Sequence, residues 1–129
     1  MKHKFFYMSG ILTLLWGTAH LFPTAGIVED FGNISHDNKL IITMEWIVEG
    51  MTLIFLGVLT IIITKTDTES KLAKSILKLI IGMLFSLAIL SVCTGFWVDF
   101  LPFKLCPMIF SISAILIILG MKVKSGGNS

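Results

Sequence analysis

The sequence contains no arginine, and all ten of its basic residues are lysine. That absence counts against bidentate recognition of phosphate or carboxylate, for which the planar guanidinium is the suited group. Charge of either sign is scarce, at 14% of 129 residues, where a soluble domain carries about 25%. The net charge of +2 is too small to point to nucleic acid, and no nucleic-acid partner is expected. Cysteine is limited to Cys93 and Cys106 with no CxxC, so neither a thioredoxin-like redox motif nor a cysteine-rich zinc site is readable.

What is abundant is apolar surface, at 55% of the chain. A soluble domain this short cannot bury so much, because small domains hide only part of the surface they have. The apolar residues fall in four blocks, about 5–22, 40–64, 79–98 and 105–121, separated by short charged segments. A helix needs about 20 apolar residues to cross the hydrocarbon core. The last block is slightly short, which local thinning or snorkelling accommodates. Continuous apolarity fits helices, whereas barrel strands would alternate apolar and polar positions. The expected fold is therefore all-α: an integral membrane four-helix bundle over residues 1–124, with 125–129 a disordered tail. The first block is longer than a signal-peptide core and is read as a retained helix.

Orientation follows the lysines. Lys2, Lys4, Lys65, Lys71, Lys74, Lys78, Lys122 and Lys124 fall on one side of the four-span arrangement, and only Lys39 and Lys104 on the other. The rich side should be cytoplasmic, which places both termini inside. The 23–39 loop and the aromatic turn from Asp99 to Phe103 then lie outside, with Trp97 as an interfacial anchor and Pro107 in the first turn of span four.

The spans carry three ionisable residues: His20 near the outer end of span one, and Glu45 and Glu49 in span two. Glu45 and Glu49 are four apart and share a helical face, with Thr52 and Thr60 roughly along it. Ser9, Thr13, Gly17 and His20 form a small and polar stripe on span one. Ser75, Gly82, Ser86 and Cys93 form another on span three. Such stripes mark helix–helix contact in lipid. An intramembrane carboxylate costs ~2.5–3.5 kcal/mol on insertion scales and is functional by default. Two carboxylates one turn apart repel when both are ionised, and a nearby histidine can share a proton with them. The functional reading makes Glu49, the deeper carboxylate, the centre of an acid/base site with Glu45 and His20 in one outward-facing pocket. Trp16, Thr13, Thr52 and Cys93 are the candidate ligand contacts. The alternative is that Glu45 snorkels to the surface while His20 and Glu49 pair as helix glue.

Trp46 lies between the glutamates in sequence but about 100° from Glu45 around the helix, and is read as an interface anchor. The Gly50 and Gly57 pair is read as packing. Cys93 and Cys106 are read as two buried thiols, with a disulfide across the aromatic turn as the alternative. A metal is not expected, because a di-iron bundle needs Glu-x-x-His pairs on two helices and none is present. No cofactor is specified.

The segment from Trp16 to Pro23 (WGTAHLFP), followed by the acidic segment from Met44 to Gly50 (MEWIVEG), resembles the small bacterial four-helix proteins grouped as DoxX-like. The resemblance covers most of the chain and implies a bacterial cytoplasmic membrane and quinone or redox membrane chemistry. It transfers no residue roles. The architecture is also similar to the four-helix sterol-isomerase-like bundles, which use intramembrane His and Glu on lipophilic substrates. Small multidrug transporters share the length and span count but carry their essential glutamate in the first helix, where this chain has none. The expected function is binding of a small lipophilic molecule in an intramembrane His/Glu pocket, with proton-transfer chemistry of a redox or isomerase kind. The alternatives are a proton-coupled transporter acting as a homodimer and a non-catalytic accessory subunit. Whether the chain is an enzyme stays open.

Overall fold

The computed structural model describes residues 2–123. The expected 125–129 tail and Lys124 lie outside the described residues. Five helices and no strand are present among them: α1 (Lys2–Leu21), α2 (Thr24–Asp30), α3 (His36–Thr66), α4 (Lys71–Thr94) and α5 (Leu101–Lys122). Helices α3, α4 and α5 are each long and apolar enough to cross a membrane, and α1 joins them when α1 and α2 are counted as one bent span. Large apolar side chains such as Leu15, Met51, Phe55, Leu79, Ile89 and Ile115 are exposed along the long helices. A surface this apolar is one that faces lipid, and the chain is a helical membrane protein.

Helices α1 and α2 meet at 55°. Pro23 supplies the break, since it lacks an N–H and disfavours helical backbone at the residue before it. Thr24 Oγ1 donates to Leu21 O at 2.6 Å, satisfying one carbonyl at the end of α1. The segment read from the sequence as a loop is thus mostly helical, as α2 and the first turn of α3. Helix α3, with 31 residues, is about 46 Å long, which exceeds the ~30 Å hydrocarbon core and lets its first turns stand beside α2.

Ser35 caps α3 by accepting from Asn38 N at 3.2 Å, and Ser70 caps α4 by accepting from Ala73 N at 3.2 Å. The Ser70 cap starts α4 at Lys71, eight residues before its apolar block. Helix α4 ends at Thr94, short of the expected 98. Pro107 sits inside α5 rather than in its first turn, and Pro102 takes the N-terminal position.

Helix α1 packs against both α3 and α5, α4 packs against α5, and α3 and α4 touch sparsely. The larger core gathers Phe6, Leu56, Ile63, Leu77, Leu84, Ala114 and Ile117 from all four long helices. A smaller core of Leu53, Ala88, Cys106 and Phe110, with Trp16 and Leu87 beside it, lies nearer α2. Ser9 Oγ donates to Ser113 O at 2.8 Å, which ties α1 to α5.

The α1 stripe of Ser9, Thr13, Gly17 and His20 is buried, whereas Ser75, Gly82, Ser86 and Cys93 on α4 face outward. Helix α4 instead packs through Ala73, Leu77, Ile80, Leu84 and Ala88, so the Ser75, Gly82, Ser86 and Cys93 stripe is not its contact face. At the lysine-rich end Glu69 accepts from Lys2 and from Lys74 (2.9 Å), tying the start of α1 to α4. The hydrogen bond from Lys2, then that from Lys74, hold the Glu69 carboxyl down at about 2.

Candidate functional site

The site is set by how closely α1 and α3 approach. Gly10 lies against Gly57 and Gly17 against Gly50, the members of each helix pair being seven residues apart. A Cβ on Gly57 would fall 2.6 Å from Leu14 N and 2.7 Å from Gly10 O, and one on Gly17 would fall 2.8 Å from Ile54 N. A side chain at Gly10, Gly17 or Gly57 would meet backbone, whereas one at Gly50 would first meet the Leu21 side chain. In lipid such close approach is the source of helix affinity, because tails are as apolar as the side chains they replace. The same register fixes what meets beyond the last glycine pair.

There, near the end of α1, His20 meets Trp46 and Glu49 of α3. The Trp46 indole Nε1 donates to the His20 carbonyl at 2.8 Å, occupying an oxygen that the end of α1 leaves free. The two rings stack with centroids 4.0 Å apart and planes 14° apart. Phe103 of α5 closes on Trp46 edge-on at 5.5 Å. His20 is buried, and its Nε2 has no hydrogen-bond partner. The nearest carboxylate oxygen, Glu49 Oε2, stands 3.6 Å away. That is just beyond a direct hydrogen bond and within one small side-chain movement of it.

Glu49 is half-buried and opens on its other side into a cleft of about 400 Å³ between α3 and α4. Glu45 and Thr52 line the same cleft, together with Val48, Met83, Leu87, Leu90 and Phe103. His20 does not line it. It belongs to a separate cavity of about 140 Å³ behind Trp46, shared with Trp16, Ala19, Pro23 and Pro102. The one pocket expected for His20, Glu45 and Glu49 is therefore two chambers with Trp46 as the wall, and the His20–Glu49 approach spans them. Of the other residues read as ligand contacts, Thr52 is in the cleft, though its hydroxyl donates to Val48 O at 2.8 Å. Trp16 is in the small chamber; its buried indole N–H makes no hydrogen bond of normal geometry and lies beside the Cys106 sulfur, a weak acceptor.

Thr13 lines neither chamber. It is buried in the helix contact, and its hydroxyl donates to Ser9 O at 2.9 Å. Cys93 is exposed on the outer side of α4, in a shallow groove with Ala88, Pro107 and Ser111. Cys106 is buried and both thiols are free, so the expectation of two buried thiols holds for Cys106 only.

Trp46, read from the sequence as an interface anchor, is the buried centre of the arrangement. The 100° that separates it from Glu45 does not send it to lipid; it points it at α1. The signal available in the sequence was that Trp46 and Gly50 are four apart and share the face that the glycines use.

Chemically, the arrangement is a carboxylate facing an apolar cleft with an unpaired imidazole nitrogen behind it, a pair able to hold and pass a proton. Among the described residues no group of three His, Cys, Asp or Glu stands together to hold a metal. No family model, curated protein or solved structure matches this chain, so the likeness to the DoxX-like proteins rests on its residues alone.

Proposed function

We propose that this protein binds a small lipophilic molecule in the cleft between α3 and α4 and that the Glu49–His20 pair moves a proton at the bound molecule. One observation carries the reading: Glu49 faces an apolar cleft on one side and the unpartnered His20 Nε2 at 3.6 Å on the other. Glu49 is placed to exchange a proton with a ligand in the cleft, and His20, shielded behind Trp46, to replenish or accept it. Such chemistry suits isomerisation or a proton-linked redox step on a lipophilic substrate. A cleft bounded by two helices that barely touch gives a bilayer-dissolved molecule a sideways route in.

In this reading the four long helices form a membrane-spanning bundle, with α1 and α2 as one bent span. The lysine-rich end, with the α3–α4 turn and both termini, is cytoplasmic. The membrane is a bacterial cytoplasmic membrane.

The test is to purify the wild type and a Leu90→Trp variant, which fills the cleft mouth, and to identify retained lipophiles by mass spectrometry. The wild type should retain a compound that Leu90→Trp loses while remaining folded. Equal recovery from both would remove the cleft from the account.

A further inference from the structure

We infer that the cleft selects lipophilic cations: molecules with one positive centre on an apolar body. The inference rests on the reading that the cleft is a ligand site, and adds the sign of the charge it takes. Glu45 and Glu49 are the ionisable residues of the cleft lining, and no lysine is among its residues. Glu45 joins no ion pair among the described residues, and Glu49 approaches only His20. One imidazolium balances at most one carboxylate, which leaves the second without a counter-charge. Glu49 is half-buried and Glu45 exposed in a groove otherwise walled by Ile42, Val48, Leu87 and Leu90, and no fixed cation of the protein stands opposite the second carboxylate. A cation between the carboxylates supplies that counter-charge, and Trp46 and Phe103 add aromatic walls that favour positive charge.

The wider charge distribution points the same way. Glu29, Asp30, Asp37, Glu45, Glu49 and Asp99 all fall toward the α2 end, with only Lys39 and Lys104 against them among the described residues. Lys104 is already held by Asp99 at 3.1 Å. The cleft therefore opens at the acidic end of the molecule, where the field draws cations and repels anions. Its volume of about 400 Å³ is that of a site for a drug-sized molecule.

The probes are tetraphenylphosphonium and tetraphenylborate, near-identical in shape and opposite in charge, with triphenylmethane as an uncharged body. Binding is measured on the full chain in nanodiscs of zwitterionic lipid, with protein-free nanodiscs as the reference. The proteins are wild type, the double variant Glu45→Gln/Glu49→Gln, and Leu90→Trp, each checked for an unchanged helical spectrum. The expected result is saturable phosphonium binding that weakens about tenfold or more in the double variant and is lost in Leu90→Trp, with no saturable borate binding. Saturable triphenylmethane or borate binding that Leu90→Trp abolishes, without any phosphonium preference, would overturn the cation inference and leave the ligand cleft standing. Absence of saturable binding by all three probes would overturn both.

Discussion

On one side α3 closes onto α1 so tightly that Gly57 leaves no room for a Cβ; on the other it stands off α4 across a cleft of about 400 Å³. Both faces are in the same solvent, and no hydrophobic force between helices distinguishes them, because lipid offers the same apolar contact. The difference is residue size. Glycines repeat every seven residues on the face toward α1, whereas Glu45, Val48 and Thr52 line the cleft on the face toward α4. The tight face has a structural role, and the open face is the one proposed to take a ligand. Trp46, at the border, serves both: it bonds to α1 and walls the cleft.

The comparison breaks most readily at the seam. Gly57→Leu would drive a side chain into the Leu14 backbone, and should destabilise the protein by at least ~1–3 kcal/mol, as overpacking does. Thermal unfolding in detergent would register it, and an unchanged midpoint would mean that the seam is not close-packed. The second largest effect is expected at the border. Trp46→Phe leaves the His20 carbonyl without its donor, and should cost about 1 kcal/mol while joining the two chambers. Thermal unfolding measures the first effect, and a changed His20 ring signal in NMR the second. A silent Trp46→Phe would detach Trp46 from the site.

The lysine-rich end sharpens the contrast, since there α1 and α4 are linked by charge rather than by packing. The folded Glu69 carboxyl lies below its ordinary 4.5, at about 2, so the Lys2–Glu69–Lys74 link is complete above pH 4.5 and is lost as pH falls toward 2. The Glu69 carboxyl carbon should titrate near 2 by NMR, and Lys2→Ala should move that midpoint back toward 4.5. A midpoint that ignores Lys2→Ala would refute the link. The smallest effect belongs to Gly82→Ala on the outer face of α4, where an added Cβ meets nothing within 4 Å. The substitution should stabilise slightly, by about 0.4–1 kcal/mol from the lost backbone freedom of glycine, opposite in sign to any substitution at Gly57.

How much of this was legible in the sequence differs between the same two faces. Length and apolarity locate the long helices, because lipid imposes both. They do not locate α2, which forms after Pro23 over polar and small residues that carry no apolar run. Nor do they show that α4 begins at Lys71, where a Ser70 cap and outward lysines extend the helix beyond its greasy block. Among the site residues, the pairing of Glu45 and Glu49 on one face and the proximity of His20 follow from spacing and depth. The division of the pocket by Trp46 does not, because it depends on which neighbour each face of α3 meets. Spacing gives the angle between side chains and leaves the identity of the neighbour open. The same ambiguity misassigned the α4 stripe, whose small residues have helical spacing but face outward.

The central claim is that Glu49 is proton-active at a ligand in the cleft. The direct test follows binding of the lipophile recovered by mass spectrometry across the neutral pH range, for the wild type and for Glu49→Gln, which keeps the shape of the side chain and removes its titration. The account predicts binding that changes with pH in the wild type and a flat profile in Glu49→Gln, with both proteins folded. Identical, pH-independent profiles in the two proteins would contradict it.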